Sequence, residues 1–337
     1  MEYFTISGTS IRVSRIALGT WAIGGWMWGG TEEKSSIDTI HAALNKGVNL
    51  IDTAPVYGFG ASEEIVGKAV EAYGGRERIL LSTKVGLEWK DGKVWRNGSR
   101  DRVMAEVENS LKRLRTDYID IYFVHWPDVT RPMAETAKAM RELYEQNVIK
   151  AVGVSNHTQD QMDVFRSECP LHLSQPPYNI FERGIESSVK SYCESNQIAI
   201  MAYGALCRGL LSGKMARGYR FEGDDLRKQD PKFNEPRFSQ YLEAVDKLKL
   251  LADKNFGKSV LAFSVRWVME KGVPITIWGG RKPSQMDPID EVLGWSMDLA
   301  TLSAVDSIVA EHVLAPVGPE FMAPPTGLQR KSGPSLK

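Results

Sequence analysis

The stretch that decides the fold, residues 48–70, reads "VNLIDTAPVYGFGASEEIVGKAV". It begins with an apolar run of strand length that ends at Asp52, and it then turns through Pro55. From Ile65 onward, apolar residues recur at the spacing of one helix face. The stretch therefore predicts a strand–loop–helix unit, with Asp52 at the strand end and Tyr57 in the loop.

Short apolar runs of this kind recur along the whole chain. They are "RIALGT" (15–20), "VNLIDT" (48–53), "ILLSTK" (79–84), "IDIYFVH" (119–125), "AVGVSN" (151–156), "LHLSQ" (171–175), "IAIMAY" (198–203) and "VPITIW" (273–278). Near-continuous hydrophobicity is typical of strands buried on both faces of a parallel sheet. Amphipathic stretches separate the runs, and no change in composition marks a domain boundary. The pattern predicts one (β/α)8 TIM barrel over residues 1–337, with a doubly wound open sheet as the alternative.

Three segments lie outside this repeating pattern. The N-terminal residues "MEYFTISGTSIRV" predict a β-hairpin around Gly8 that closes the bottom of the barrel. Residues 208–236 are long, polar and charged, which indicates a large loop after the seventh strand. Residues 315–337 contain five prolines and three glycines, which predicts a loose C-terminal tail.

Composition narrows the class of protein. The formal net charge is zero, so neither nucleic acid nor an anionic membrane is an expected partner. The three cysteines include no Cys-x-x-Cys pair, which argues against a disulfide framework or a zinc site and favours a reducing compartment. The N-terminus lacks the pattern of a signal peptide, and no apolar run reaches the roughly 18 residues of a membrane span. We therefore expect a cytoplasmic protein.

Polar side chains end three consecutive predicted strands. Asp52 ends the second strand, Lys84 the third and His125 the fourth. Adjacent strands lie about 4.8 Å apart, so these side chains are expected to cluster at the carboxyl end of the barrel, where barrel enzymes place their chemistry. Tyr57 lies in the loop directly above Asp52. Each residue alone has an ordinary role as a cap, a loop anchor or a packing group, but together they favour a catalytic site.

These four residue types suit proton delivery to a carbonyl group. The ordinary pKa of tyrosine is about 10, and we expect the nearby cation of Lys84 to lower the pKa of Tyr57. Asp52 is expected to pair with Lys84 and hold it in place, and His125 can donate a hydrogen bond to a carbonyl oxygen. Neither a serine or cysteine nucleophile nor a cluster of metal ligands accompanies His125 in the sequence, so we expect no metal.

With these residues in place, the sequence resembles the aldo-keto reductase superfamily, and within it the bacterial general-stress and sugar-reductase branch. The matching segments are "LIDTAPVYGFGASEEIVGKAV" (50–70), "LSTKVG" (81–86), "DYIDIYFVHWPD" (117–128), "AVGVSN" (151–156), "SQPPYNIFER" (174–183) and "AYGALCRGLLSGK" (202–214). The resemblance implies a catalytic tetrad of Asp52, Tyr57, Lys84 and His125, with Tyr57 as the general acid in reduction of a small carbonyl substrate. It also implies a nicotinamide cofactor across the barrel mouth.

The resemblance also implies where the cofactor binds. Ser155, Asn156 and Gln175 match the groups that hold the carboxamide, and Tyr203 matches the aromatic ring that stacks on the nicotinamide. "GALCRGLL" (204–211) matches the pyrophosphate loop, and "WGGRKPSQ" (278–285) matches the adenosine end, where Arg281 can pair with a 2′-phosphate. The cofactor expected here is NADPH, with NADH as a possible second.

The complete expected cofactor set is Gly19, Thr20, Trp21, Asp52, Ser155, Asn156, Gln175, Tyr203, Gly204, Ala205, Leu206, Arg208, Gly209, Leu210, Lys214, Gly279, Gly280, Arg281 and Gln285. The expected substrate pocket consists of Trp21, Tyr57, Trp89, His125 and Trp126. Trp26 and Trp28 follow the first strand together with Trp21, and core packing beneath a loop is the alternative interpretation of this group.

Other classes of protein remain as alternatives. A cofactor-sensing regulatory subunit would keep the same four residues, but no long segment precedes the first strand here. A lyase or isomerase acting through a Schiff base would need a neutral lysine, which the expected pairing of Lys84 with Asp52 opposes. A dinucleotide-binding open sheet is excluded at "GFGASE" (58–63), because Glu63 occupies the position of the third glycine.

Overall fold

The computed structural model describes residues 1–327, and its centre is a closed barrel of parallel strands. An N-terminal hairpin consists of β1 (Tyr3–Thr5) and β2 (Arg12–Ser14). The barrel consists of β3 (Ile16–Gly19), β4 (Leu50–Asp52), β5 (Leu80–Val85), β8 (Ile119–Val124), β9 (Ile149–Ser155), β10 (Leu173–Gln175), β11 (Ala199–Ala202) and β12 (Ile275–Gly279). Each strand pairs with the next in this order, and β12 closes the barrel against β3. The prediction of a (β/α)8 barrel is confirmed.

Helices surround the barrel. They are α1 (Glu33–Asn45), α2 (Ala61–Tyr73), α3 (Arg100–Leu114), α4 (Met133–Glu145), α5 (Gln159–Arg166), α6 (Val189–Ser195), α7 (Arg237–Phe256), α8 (Val260–Glu270) and α9 (Leu299–His312). One apolar cluster fills the barrel, and a larger one lies between the strands and the helices. Within residues 1–327, no helix is both long enough and apolar enough to cross a membrane.

The hairpin closes the amino-terminal end of the barrel, as the sequence predicts. Ile6 and Val13 are fully buried, and they belong to the same apolar cluster as the barrel residues Leu50 and Ile121. The opposite, carboxyl end of the barrel is the end where barrel enzymes place their chemistry.

Long segments meet over the carboxyl end of the barrel. The predicted loop at 208–236 contains short 3₁₀ turns and precedes α7. Its Asp224 accepts hydrogen bonds from the backbone N–H groups of Met27 (2.7 Å) and Gly29 (3.2 Å), which lie in the loop after β3. The two loops are thus joined across the barrel mouth.

A second hairpin, β6 (Leu87–Lys90) and β7 (Lys93–Arg96), stands beside the mouth and contacts the C-terminal segment. Arg96 donates from its backbone N–H to the carbonyl of Pro325 (2.9 Å) and from Nε to that of Pro324 (2.8 Å). The predicted loose tail starts at residue 315, and its residues 315–327 make these contacts with the barrel. Residues 328–337 of that predicted tail lie outside the described residues.

We expect Gly153→Ala to destabilise the barrel by about 1–3 kcal/mol, the usual cost of overpacking. A Cβ added at Gly153 on β9 would lie 2.2 Å from Cε1 of Phe123, a fully buried ring on β8. Gly184→Ala is the matched control, because no atom lies within 4 Å of its added Cβ, and its effect should stay within about 0.5 kcal/mol. Urea unfolding of both variants measures the difference. Equal stability of the two variants would contradict this account of barrel packing.

Candidate active site

A buried ion pair lies at the carboxyl end of the barrel. Nζ of Lys84 lies 2.7 Å from Oδ2 of Asp52, and the two residues are 0% and 3% exposed. Asp52 also accepts hydrogen bonds from Oγ of Ser82 (2.6 Å) and Nε2 of Gln175 (3.0 Å). Lys84 donates a further hydrogen bond to the carbonyl of Thr53 (2.8 Å). The carboxylate and the ammonium therefore each have several fixed partners.

The environment of Lys84 acts on its pKa in two directions. Burial lowers the pKa because a charged ammonium loses its hydration, while the charge of Asp52 and its hydrogen bond act to raise it. The net direction is a lowered pKa. Asp52 is thus the group that favours the ammonium form against burial.

Tyr57 and His125 complete the cluster above this ion pair. The Lys84 ammonium lies over the face of the Tyr57 ring, 5.1 Å from its centroid. The rings of Tyr57 and His125 are 5.8 Å apart and nearly perpendicular. Asp52, Tyr57, Lys84 and His125 therefore lie together, on β4, the loop after it, and the ends of β5 and β8.

The expectation that Lys84 lowers the pKa of Tyr57 is wrong in this structure. Burial raises that pKa well above its usual value, and the charges of Asp52 and Tyr203 add to the effect. Burial is the largest cause, and it outweighs the nearby cation of Lys84, whose hydrogen bonds are directed at Asp52 and Thr53. Tyr57 consequently keeps its proton at neutral pH.

The pKa of His125 shifts in the opposite direction. Burial lowers it well below its usual value, and the cation of Lys84 lowers it further. The imidazole is therefore neutral at neutral pH and retains one ring N–H that can donate to an acceptor. The cluster thus presents two neutral proton-bearing groups, a phenol and an imidazole, above one ion pair.

The residues expected at the carboxamide form a hydrogen-bonded chain next to this cluster. Oγ of Ser155 donates to the carbonyl of Gln175 (2.7 Å), and Nδ2 of Asn156 donates to the carbonyl of His125 (3.0 Å). Oδ1 of Asn156 accepts from the hydroxyl of Tyr203 (2.9 Å). This chain fixes the half-buried ring of Tyr203 at the end of β11.

The loop after β11 has an unusual backbone. Cys207, Arg208 and Gly209 are consecutive residues with positive φ angles of 46°, 55° and 90°. Within this loop, the backbone N–H of Cys207 donates to the carbonyl of Gly204 (2.7 Å), and that of Gly209 donates to the carbonyl of Leu206 (2.9 Å). Gly204 has open space around it, since nothing lies within 4 Å of an added Cβ.

The side chain of Arg208 belongs to a buried charge network. Its Nε donates to Asp230 (2.6 Å), and its Nη2 pairs with Glu182. Nζ of Lys232 lies 2.8 Å from Glu182 and also donates to the carbonyl of Gly318 (3.1 Å). Arg208 can therefore offer a cofactor its backbone, while its guanidinium connects the loop to residues 230–232.

At the adenosine end, Arg281 is half-buried beside the loop that follows β3. Its Nη1 donates to the carbonyl of Trp28, and its backbone N–H donates to Oε1 of Gln285 (2.9 Å). The other guanidinium nitrogens of Arg281 have no hydrogen-bond partner in the described part of the chain. Gly19 and Gly279 pair directly between β3 and β12.

The remaining expected cofactor residues differ in accessibility. Oγ1 of Thr20 donates a hydrogen bond to the carbonyl of Asp52 (3.0 Å). The side chain of Lys214 is exposed. Gly280 is buried beside Gln285. Ala205 and Leu210 are buried in the core. Leu206 packs against that core while remaining partly exposed, and its carbonyl accepts a hydrogen bond from Gly209.

Together these features fit a nicotinamide dinucleotide. The ring of Tyr203 has the amide of Asn156 beside it, and the amide of Gln175 lies at Asp52, which suits a flat ring that bears a carboxamide. The partly unpaired guanidinium of Arg281 suits a phosphate group, whereas two of the three backbone N–H groups at 207–209 already donate within their own loop.

Aromatic side chains also surround the cluster of Asp52, Tyr57, Lys84 and His125. Trp21 stacks on Tyr57 with a centroid distance of 5.7 Å. Trp89, on the β6–β7 hairpin, borders a small cavity with Lys84 and His125. Trp126 belongs to an apolar cluster that also contains Tyr57 and Trp89. The guanidinium of Arg96 lies over the Trp126 ring. The expected pocket residues therefore come together around Tyr57 and His125.

Sequence reasoning did not identify several residues that shape this site. Ser82 holds Asp52 and could have been found, because it lies two residues before Lys84 on one strand and so shares its face. The partners of Arg208, which are Glu182 and Asp230, had no detectable signal because they come from separate loops. Arg96 had no such signal either, because its partners Pro324 and Pro325 lie far along the chain.

Comparison with known proteins assigns the family. The Aldo/keto reductase family pattern matches residues 15–310. The chain is 55% identical to the aldo-keto reductase YhdN of Bacillus subtilis (strain 168), over 97% of this chain and 99% of that protein. It is 38% identical to the NADH-specific methylglyoxal reductase of Escherichia coli (strain K12), over 65% of this chain and 72% of that protein.

A solved structure agrees with this assignment. The glycerol dehydrogenase AKR11B4 from Gluconobacter oxydans superposes with a TM-score of 0.86 at 49% identity, covering 95% of this chain and 99% of that one. The chain belongs to the aldo/keto reductase family, whose members are oxidoreductases that act on small carbonyl compounds with NADPH or NADH. The resemblance seen in the sequence is confirmed.

We expect Lys84→Met to lower turnover strongly, because it removes the ammonium charge. Asp52→Asn should lower turnover less, because it keeps that charge and only weakens the contact that holds it in place. The double variant should lose less than the product of the two single losses, since both act through one hydrogen-bonded cluster. Turnover with a common aldehyde measures this, with thermal unfolding as the check on folding. Lys112→Met, at an exposed helix position, is the control. Strictly multiplicative losses would contradict a coupled cluster.

Proposed function

We propose that this protein reduces aldehydes and ketones to alcohols with NADPH, and that Tyr57 supplies the proton. The observation that carries this proposal is the buried ion pair of Lys84 and Asp52, with Tyr57 and His125 directly above it. Four groups that could each have an ordinary structural role are combined here at the carboxyl end of the barrel, where barrel enzymes place their chemistry.

Each residue has a distinct role in the proposed reaction. The neutral imidazole of His125 donates its N–H to the carbonyl oxygen and orients the substrate. Tyr57 passes its hydroxyl proton to that oxygen as the carbonyl becomes an alcohol. The cation of Lys84 stabilises the phenolate that forms, and Asp52 keeps the cation in place. A nicotinamide held beside Tyr203 and Asn156 would supply the hydride to the carbonyl carbon.

We propose a small substrate of low charge. The walls near Tyr57 are aromatic or aliphatic, with Phe59, Trp89 and Trp126 among them. Lys84 is the one charged side chain that borders the small cavity beside His125 in the described part of the chain, and Asp52 pairs with it. Relatives named for methylglyoxal and for glycerol support a small substrate.

A cytoplasmic location completes the proposal. All three cysteines are buried and unpaired, which suits a reducing compartment.

Tyr57→Phe should lower turnover by roughly 10²–10⁴, the usual contribution of a positioned general acid. The affinity for the cofactor should change little, because the lost hydroxyl has no hydrogen-bond partner within residues 1–327. Steady-state reduction of an aldehyde and fluorescence titration of NADPH measure the two quantities. Retention of more than about a tenth of wild-type turnover, with hydride transfer limiting the rate, would show that Tyr57 is not the proton donor.

Arg281→Ala should weaken NADPH binding by about 10- to 100-fold, because a guanidinium pairs strongly with a dianionic phosphate. NADH has no such phosphate and should bind almost as before. Fluorescence titration of both cofactors separates the outcomes, with Lys282→Ala as the neighbouring control. Equal losses for the two cofactors would mean that Arg281 acts through the loop it contacts at Trp28 and does not recognise the phosphate.

A further inference from the structure

A second cleft, of about 660 Å³, opens at the amino-terminal end of the barrel. It lies between the N-terminal hairpin and the loops that lead into the strands. The lining residues are Gly8, Thr9, Ser10, Ile11, Arg12, Asn49, Glu77, Arg78, Leu80, Tyr118, Asp120, Tyr144 and Lys150. Leu80 begins β5 and Lys84 lies near its other end, so about 13 Å of strand separates this cleft from the proposed active site.

Positive charge in this cleft is not neutralised by its acidic residues. Asp120 already pairs with Arg76 (2.9 Å) and accepts from the backbone of Leu81 (2.9 Å). Nε of Arg78 lies 3.6 Å from Oε1 of Glu77, and these two side chains are 79% and 75% exposed. No carboxylate within residues 1–327 pairs with the remaining two cations, Arg12 and Lys150.

Those two cations are held at defined places. The carbonyl of Arg12 accepts from Nδ2 of Asn49 (3.0 Å), and its guanidinium lies 4.8 Å from the ring centroid of Tyr3. Lys150 is the second residue of β9, and its ammonium lies 5.5 Å from the ring centroid of Tyr118. Both side chains therefore start from rigid strands and not from mobile loops.

Thr9 and Asn49 use their side-chain donors on the carbonyls of Ile6 and Arg12, but three other hydroxyls in the cleft have no such partner. The hydroxyls of Tyr118, Tyr144 and Ser10 donate no hydrogen bond to any atom of the described residues. Ile11 and Leu80 add apolar surface between them. Cations, hydroxyl donors and some apolar surface are a combination that suits a small molecule carrying a phosphate group, and the volume is in the range of small-molecule sites.

We propose that this cleft binds a small phosphorylated molecule, with Arg12 and Lys150 pairing with its anionic groups. The site is separate from the cofactor site and is independent of the proposed reaction. Its residues come from the hairpin, from β5, β8, β9 and α4, and from the turns that precede the strands. The hairpin that closes the barrel therefore also forms one wall of the site.

Isothermal titration calorimetry with inorganic pyrophosphate tests the proposal. The protein is first saturated with NADP⁺, so that the cofactor site cannot take up the probe. We expect sub-millimolar binding to the wild type, and a loss of about tenfold or more in Arg12→Gln and in Lys150→Gln. Lys112→Gln, an exposed helix position outside the cleft, should bind as the wild type does.

Three further measurements show whether a loss of binding comes from the cleft itself: melting temperature, turnover and the dependence on NADP⁺ concentration. The melting temperature and turnover of both variants should match the wild type, because neither residue touches the proposed active site. Raising the NADP⁺ concentration should leave pyrophosphate affinity unchanged. The proposal is overturned if the wild type releases no heat, if both variants bind normally, or if Lys112→Gln weakens binding equally.

Discussion

The ion pair between Lys84 and Asp52 is the constraint on which the rest of the site depends. Both side chains are buried, so removing either partner leaves an uncompensated charge, which typically costs about 3–5 kcal/mol. Ser82 and Gln175 fix the carboxylate, and the carboxylate fixes the ammonium. A charge that cannot relax can stabilise a developing phenolate at Tyr57 without reorganising during the reaction.

The loops around the barrel mouth are held by contacts that do not touch the proposed reacting groups. Arg208, Glu182, Asp230 and Lys232 form a buried network with two positive and two negative side chains. It anchors the backbone at 207–209 in its left-handed conformation, which non-glycine residues adopt only when their surroundings hold it. The strain is thus placed where the loop would approach a cofactor.

The barrel and the four clustered residues could be predicted because both depend on local pattern. Apolar runs that end in Asp52, Lys84 or His125 mark strand and site together. The direction of the Tyr57 pKa shift could not be predicted, because it depends mainly on how deeply the surrounding loops bury the phenol. The contacts of Arg96 with residues 324–325 join segments more than two hundred positions apart. They could not be predicted, because no local sequence pattern indicates them.

The central claim is that this chain transfers hydride to a carbonyl carbon, and isotope transfer tests it most directly. NADPH carrying deuterium at one or the other C4 position is mixed with an aldehyde, and the alcohol is analysed by mass spectrometry. Tyr203 and the amides beside it should present one face of the ring, so we predict one deuterium per alcohol from only one of the two labelled cofactors. Transfer from neither would contradict a reductase, and equal transfer from both would contradict a fixed nicotinamide.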